Sequence, residues 1–170
     1  MFGYQKSILV FTMEIYRVTF TGHREVDDFF FVEEQVDSVV RELIRTKEYV
    51  EFYVGRNGEF DILVASVIKR VQREEGGRNS SLILVIPYPV AEMEAYENFY
   101  DEVVCPLELH NAHYKSAITK RNEWLVKNSD MLVVYVTRDY GGAAHCLKKA
   151  MDSGIEIRRV DRKSVEQNGQ

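Results

Sequence analysis

Three short polar stretches of this 170-residue chain hold the residues best suited to chemistry. They are Gly22-His23-Arg24, Gly55-Arg56-Asn57-Gly58-Glu59-Phe60-Asp61, and Thr137 to Gly142, which ends in a glycine pair. An arginine fork takes phosphate or carboxylate in a bidentate grip, and a histidine exchanges protons near neutral pH. Adjacent glycines opening a helix leave backbone N–H groups free to face an anion, which the helix dipole also favours. Glu59 and Asp61 offer carboxylates for ribose hydroxyls, or for acid–base work assisted by His23. Each stretch also has a purely structural explanation. Gly141-Gly142 serves as a strand-to-helix turn. His23 and Arg24 serve as ordinary loop residues, and Glu59 and Asp61 as first-turn acids that complement a helix dipole.

Arg121 and Asn122 stand out for a different reason. Ile118, Leu125 and their helical neighbours define an apolar stripe, and Arg121 and Asn122 fall inside it. A guanidinium on a buried face needs a partner. One reading is a structural pair with an acid or with strand-end carbonyls. The other is that both side chains point along the helix face into a crevice, where Lys115 and Lys120 add charge. Tyr88, Tyr96, Phe99, Tyr100 and Tyr114 could stack on a base as a lid, or simply pack a long crossover. Cys105, His110 and His113 cluster in sequence, but their spacing fits no common zinc pattern, so no metal site is expected. The chain has no GxSxG elbow and no Walker-type GxxxxGK(S/T) loop.

These loops must be positioned by the elements that flank them. Ile15 to Phe20, Val50 to Val54, Leu82 to Ile86, Met131 to Val136 and Ile155 to Val160 read as strands. Between them run helical stripes: Val32, Val36, Val39, Val40 and Leu43, with Asp27 or Asp28 as N-cap; Phe60, Val64, Val67, Ile68 and Val71; and Ala143, Leu147, Ala150 and Met151, with Gly154 as C-cap. Pro87 to Asn111 reads as a short helix (Ala91 to Tyr100) and a proline-broken loop, followed by a helix from Tyr114 to Lys127. Alternating strands and helices predict an α/β fold, a single Rossmann-like three-layer domain. Its sheet is expected to be five-stranded, mainly parallel, in the order 3-2-1-4-5. That order sets the first and fourth strands side by side, so that the loops after them meet over one crevice.

The totals bound the rest. One domain is expected over residues 13–160, with residues 1–12 as an extension, Met13 as an alternative start, and a polar tail from Asp161. No signal peptide and no membrane span are expected. Two cysteines without a CxxC pair suggest a reducing, cytoplasmic setting. The net charge of −5 argues against general nucleic-acid binding, while leaving room for one local cationic pocket.

With these residues in view, the chain resembles the YpsA-like branch of the SLOG superfamily, the SMF/DprA–LOG group of Rossmann-like proteins. The resemblance is carried by Thr21-Gly22-His23-Arg24, the Gly55–Asp61 stretch, Lys120-Arg121-Asn122, Asn128-Ser129-Asp130 and Tyr140-Gly141-Gly142, and spans Ile15 to about Val160. It implies a single domain that binds a nucleotide or nucleotide-derived ligand, such as an ADP-ribose-type molecule, with no certain cofactor. The chain departs from the phosphoribohydrolases of the cytokinin-activating branch, which carry a GGxGTxxE loop. Here Ala144, His145 and Lys148 fall at the remaining Gly, Thr and Glu positions. Ala143 also stands where YpsA-like proteins usually have Thr.

The leading expectation is therefore ligand binding or sensing, with phosphate over Gly141-Gly142, Arg24 and Arg121 as counter-charges, and ribose or base near Asn57 and Glu59. Gly22, His23, Gly55, Gly58, Asn122 and Thr137 complete the expected site. The alternatives are a nucleotide hydrolase using Glu59 or Asp61 with His23, and an interaction module with a vestigial pocket. Homo-oligomerisation is left open.

Overall fold

The computed structural model describes residues 12–91 and 93–168. A six-stranded, all-parallel sheet runs in the order β4-β3-β2-β1-β5-β6. The strands are β1 (Ile15–Gly22), β2 (Tyr49–Val54), β3 (Ser80–Val85), β4 (Glu102–Val104), β5 (Met131–Tyr135) and β6 (Glu156–Arg159). The helices are α1 (Phe29–Thr46), α2 (Glu59–Glu75), α3 (Met93–Phe99), α4 (Ala117–Lys127), α5 (Gly142–Ser153) and α6 (Arg162–Asn168). Two 3-10 turns, Leu107–Leu109 and Tyr114–Ser116, lie between β4 and α4. No helix among the described residues is long and apolar enough to cross a membrane.

The strands alternate faces, and both faces are buried, which is why β5 is apolar at every position. Val18, Phe20, Val50, Phe52, Leu82, Leu84, Met131 and Val133 join the α1 and α2 stripes in the main core. Leu132, Val134 and Val136 face Leu147 and Ala150 of α5, while Tyr53, Ile83 and Val85 face Leu125 of α4. Across the outer face of α1 and α2 runs a charged ladder. Asp37 binds Arg41 and Arg70, and Arg41 also reaches Glu74 and Glu75. Burial alone would raise the Asp37 carboxyl, but the two arginines outweigh it and hold it below its ordinary value.

The sheet has six strands, not the expected five. The extra strand, β4, lies in the stretch read as a loop. Its three residues pair with β3, Ile83 opposite Glu102 and Val85 opposite Val104. Asp101 fixes that edge: its carboxylate accepts from Leu82 N–H at 2.7 Å, from Gln72 at 3.1 Å and from Lys69 at 2.5 Å. β4 is held by its pairing with β3, and the bonds accepted by Asp101 anchor the residue that leads into it.

Two smaller differences concern caps and the C-terminal segment. Asp28 stands at the N-cap of α1 without a side-chain cap bond, because its carboxylate is taken by Arg162 at 2.7 Å. The segment read as a polar tail forms α6. Asp161 caps it, accepting from Ser164 N–H at 3.0 Å and Ser164 Oγ at 2.8 Å. The expected N-terminal extension lies, apart from Thr12, outside the described residues.

Candidate functional site

A cleft of about 270 Å³ opens at the carboxyl ends of β1, β2 and β5. This is where open α/β sheets bind ligands. The β1 loop supplies Gly22, His23 and Arg24, the β2 loop supplies Asn57, Gly58 and Asp61, and α4 supplies Arg121 and Asn122. Arg138, Gly141 and Gly142 close the far wall. Three expected residues lie elsewhere. Glu59 turns to the opposite side, where its Oε2 accepts from Val26 N–H at 3.0 Å. Thr137 lines a separate groove with Lys148 and Arg159. Gly55 sits beneath Arg121 and does not line the cleft. Arg138 is the residue that sequence reasoning passed over; it stands three residues past the end of β5, in a loop that carries no periodic signal.

The loops are held together by short polar bonds. Arg24 C=O accepts from Glu59 N–H at 2.8 Å, joining the first two loops. His23 N–H donates to Tyr135 C=O at 3.2 Å, and Arg138 N–H donates to His23 Nε2 at 3.3 Å, joining the first loop to the third. Because Nε2 accepts, the ring proton sits on Nδ1 and the imidazole is neutral. Burial lowers the His23 pKa, the Arg138 charge lowers it further, and Asp27 opposes both. His23 is therefore a clasp between two loops.

A depressed histidine stabilises the fold fully above its unfolded value of 6.5, and that contribution is lost as pH falls through the lower folded value. Wild-type melting temperature should fall between pH 7 and pH 5. His23→Gln, which keeps an acceptor but cannot titrate, should show a shallower fall. Identical slopes in thermal melts at matched ionic strength would remove this role.

The floor of the cleft is a buried cation beside a carboxylate. Arg121 is only 6% exposed. Its Nε and Nη2 donate to Asn122 Oδ1 at 3.1 and 2.8 Å. Among the described residues, no carboxylate approaches its guanidinium within 4.0 Å. Burial lowers the Arg121 pKa, and the Asp61 charge acts against that. The Asp61 carboxyl is pushed up by burial, against the pull of Asn57 N–H at 2.7 Å and the Arg121 charge. Arg121 can lie this deep because a glycine follows β2: a Cβ on Gly55 would stand 2.6 Å from Arg121 Nη1. Gly141, the N-cap of α5, has φ +94°, in the region that favours glycine. A Cβ there would meet nothing within 4 Å, so the α5 N-terminus faces open space.

Cys146 lies against this floor, but burial pushes its thiol up to about 11, so it stays protonated at neutral pH. Taken together, the cleft offers Arg24, Arg121, Arg138 and the first N–H groups of α5 to an anion, and Asp61 and Asn57 to polar hydrogens.

No family model and no curated protein matches the sequence. Solved structures show the fold. DNA processing protein A (DprA) from Streptococcus pneumoniae has a TM-score of 0.60 at 16% identity, over 85% of this chain and 50% of that one. DprA from Helicobacter pylori has a TM-score of 0.57 at 13% identity, over 85% of this chain and 64% of that one. The molybdenum cofactor carrier protein of Chlamydomonas reinhardtii has a TM-score of 0.56 at 12% identity, over 86% of this chain and 76% of that one. The chain thus spans between half and two thirds of the DprA chains it matches. The shared architecture is a Rossmann-like, three-layer α/β fold with a parallel sheet.

One expectation is corrected by this likeness. The net charge was taken to argue against general nucleic-acid binding. The Helicobacter pylori protein has this fold, and its structure is described as showing a single-stranded DNA binding mode. A summed charge does not decide what a local cluster such as Arg24, Arg121 and Arg138 can hold, so that exclusion is withdrawn.

Proposed function

We propose that the cleft binds the phosphate of a small nucleotide-derived ligand, and that the chain is a binding or sensing protein of the YpsA-like SLOG type. One observation carries this reading: Arg121 lies buried in the cleft floor, without a carboxylate within 4.0 Å among the described residues, beside the open N-terminus of α5. A buried guanidinium is costly unless something anionic meets it. A ligand phosphate would supply that charge, with Arg24 and Arg138 at the rim. The hydrolase alternative loses Glu59, which faces away from the cleft, and keeps Asp61 and the clasping His23.

A second reading is favoured by the rim. Tyr88, Tyr114 and Tyr140 are exposed, and the Arg138 guanidinium lies 5.1 Å from the Tyr140 ring centre. Exposed aromatics beside cations suit stacked bases of a single strand. The fold likeness to a single-stranded-DNA-binding protein agrees with this reading.

Thermal melts with nucleotides, ADP-ribose, cyclic nucleotides and a short oligothymidylate test both. At 100 times its Kd a ligand stabilises by about 2.7 kcal/mol, roughly 5–11 °C for a chain of this size. Gly142→Val, which places a side chain in the anion cup, should abolish the shift. A shift by the oligonucleotide alone, weakening steeply with salt, would favour the second reading. If no compound moves the melt, the proposal fails.

A further inference from the structure

A second, smaller cavity of about 130 Å³ adjoins the cleft. It shares Asn57, Ile118 and Arg121 with the first, so the two are lobes on either side of the Arg121 side chain. Their chemistry differs. The first lobe is bounded by the β1 loop, Arg138 and the glycine pair. The second is bounded by Val85, Ile86 and Pro87 at the end of β3, and by Tyr88, Val90 and Tyr96. Its apolar walls are also propped. The Arg56 guanidinium stacks 4.2 Å from the Tyr96 ring centre, and Tyr88 leans on Tyr114 with ring centres 6.1 Å apart. Small-molecule sites typically combine a largely apolar wall with a few placed polar groups, in about 300–1,000 Å³. Neither lobe reaches that volume alone, and together they do.

Building on the phosphate-binding reading above, we infer that the second lobe is the subsite for a flat aromatic ring. The ligand class is then a monophosphate whose phosphate sits over Gly141-Gly142 and whose ring lies between Tyr88 and the Arg121 side chain. A nucleoside monophosphate has this form. Asn57 stands at the junction, where a sugar would cross from one lobe to the other. This moves the base away from Glu59. It also gives Arg121 two faces of use: its edge toward the phosphate and its plane toward the ring, as guanidinium groups stack on π systems.

Isothermal titration with AMP and with ribose 5-phosphate tests the inference, since the second compound keeps the phosphate and sugar and lacks the ring. AMP should bind at least ten times more tightly. Tyr88→Ser, at a position 39% exposed, should erase most of that difference while leaving ribose 5-phosphate affinity unchanged. Ile86→Asn, checked for folding by circular dichroism, should do the same from the opposite wall. Arg24→Ala should weaken both compounds equally. Equal affinities in the wild type, or a Tyr88→Ser loss shared by both ligands, would overturn the ring subsite and leave the phosphate site standing. Binding of neither compound would remove the phosphate reading and this inference with it.

Discussion

Arg121→Leu is expected to weaken binding of a phosphate ligand by roughly 30-fold to several thousand-fold, the range for removing one partner of a buried charge pair (about 2–5 kcal/mol). The same substitution should leave the unliganded protein as stable as the wild type, or more so. Replacing a buried ion by an apolar side chain of similar volume is often neutral, or stabilising by about 1–4 kcal/mol. Leucine suits the surroundings, because Ile118 and Leu125 already line that helix face. The variant also removes the cation that acts against the upward shift of Asp61, so the Asp61 carboxyl should titrate higher still. The two readouts separate the explanations. A structural Arg121 predicts a lower melting temperature, whereas a ligand-binding Arg121 predicts a protein that melts no lower and binds poorly. Melting curves and titration calorimetry on the same preparation decide it; a large stability loss with unchanged affinity would overturn the functional assignment.

The largest stability effect is expected at Phe60. This ring is fully buried at the start of α2, packs against the backbone of Gly22, and stacks on Tyr135 with centroids 5.8 Å apart. Phe60→Ala should cost about 3–5 kcal/mol. For a chain of this size that corresponds to a fall in melting temperature of roughly 6–20 °C. Tyr135 is also the residue whose hydroxyl accepts from Asp27 N–H and whose carbonyl accepts from His23 N–H. The cavity therefore opens under the β1 loop, and ligand affinity should fall with stability. Urea unfolding measures the first effect. A loss below about 1 kcal/mol would mean that the neighbours close over the void.

Much of the scaffold was legible because its signals are periodic. Continuous apolar runs such as Met131 to Val136 marked strands buried on both faces. Stripes such as Val32, Val36, Val39 and Val40 marked the helices that cover them, and their alternation implied parallel pairing. The order around β1 followed from topology. β4 was not legible, because three residues with an exposed glutamate carry no period and the strand depends on its pairing with β3. α6 had a local signal, an aspartate three residues before a serine, within a stretch polar enough to read as a tail.

For the site, the informative clue was a charge in the wrong place: Arg121 interrupts an apolar stripe. Glu59 illustrates the limit. Its place in the first turn of a helix was clear from sequence, but the direction of its side chain depends on where Val26 N–H lies. Arg138 belonged to a loop without a pattern, and only the fold shows that it faces the cleft.

The His23–Arg138 clasp joins residues 115 positions apart. On a ribosome adding about 5–20 residues per second, the two halves of the cleft emerge roughly 6 to 23 seconds apart. During that interval β1 has β2 on one side and nothing on the other, because its second neighbour, β5, has yet to be made. The central strand of the finished sheet is thus, while the chain grows, an open and half-apolar edge of the kind that recruits other chains. Ligand cannot protect this nascent state, since the cup that would hold phosphate is synthesised after β5. Chains stalled short of Met131 should therefore be the aggregation-prone form of this protein.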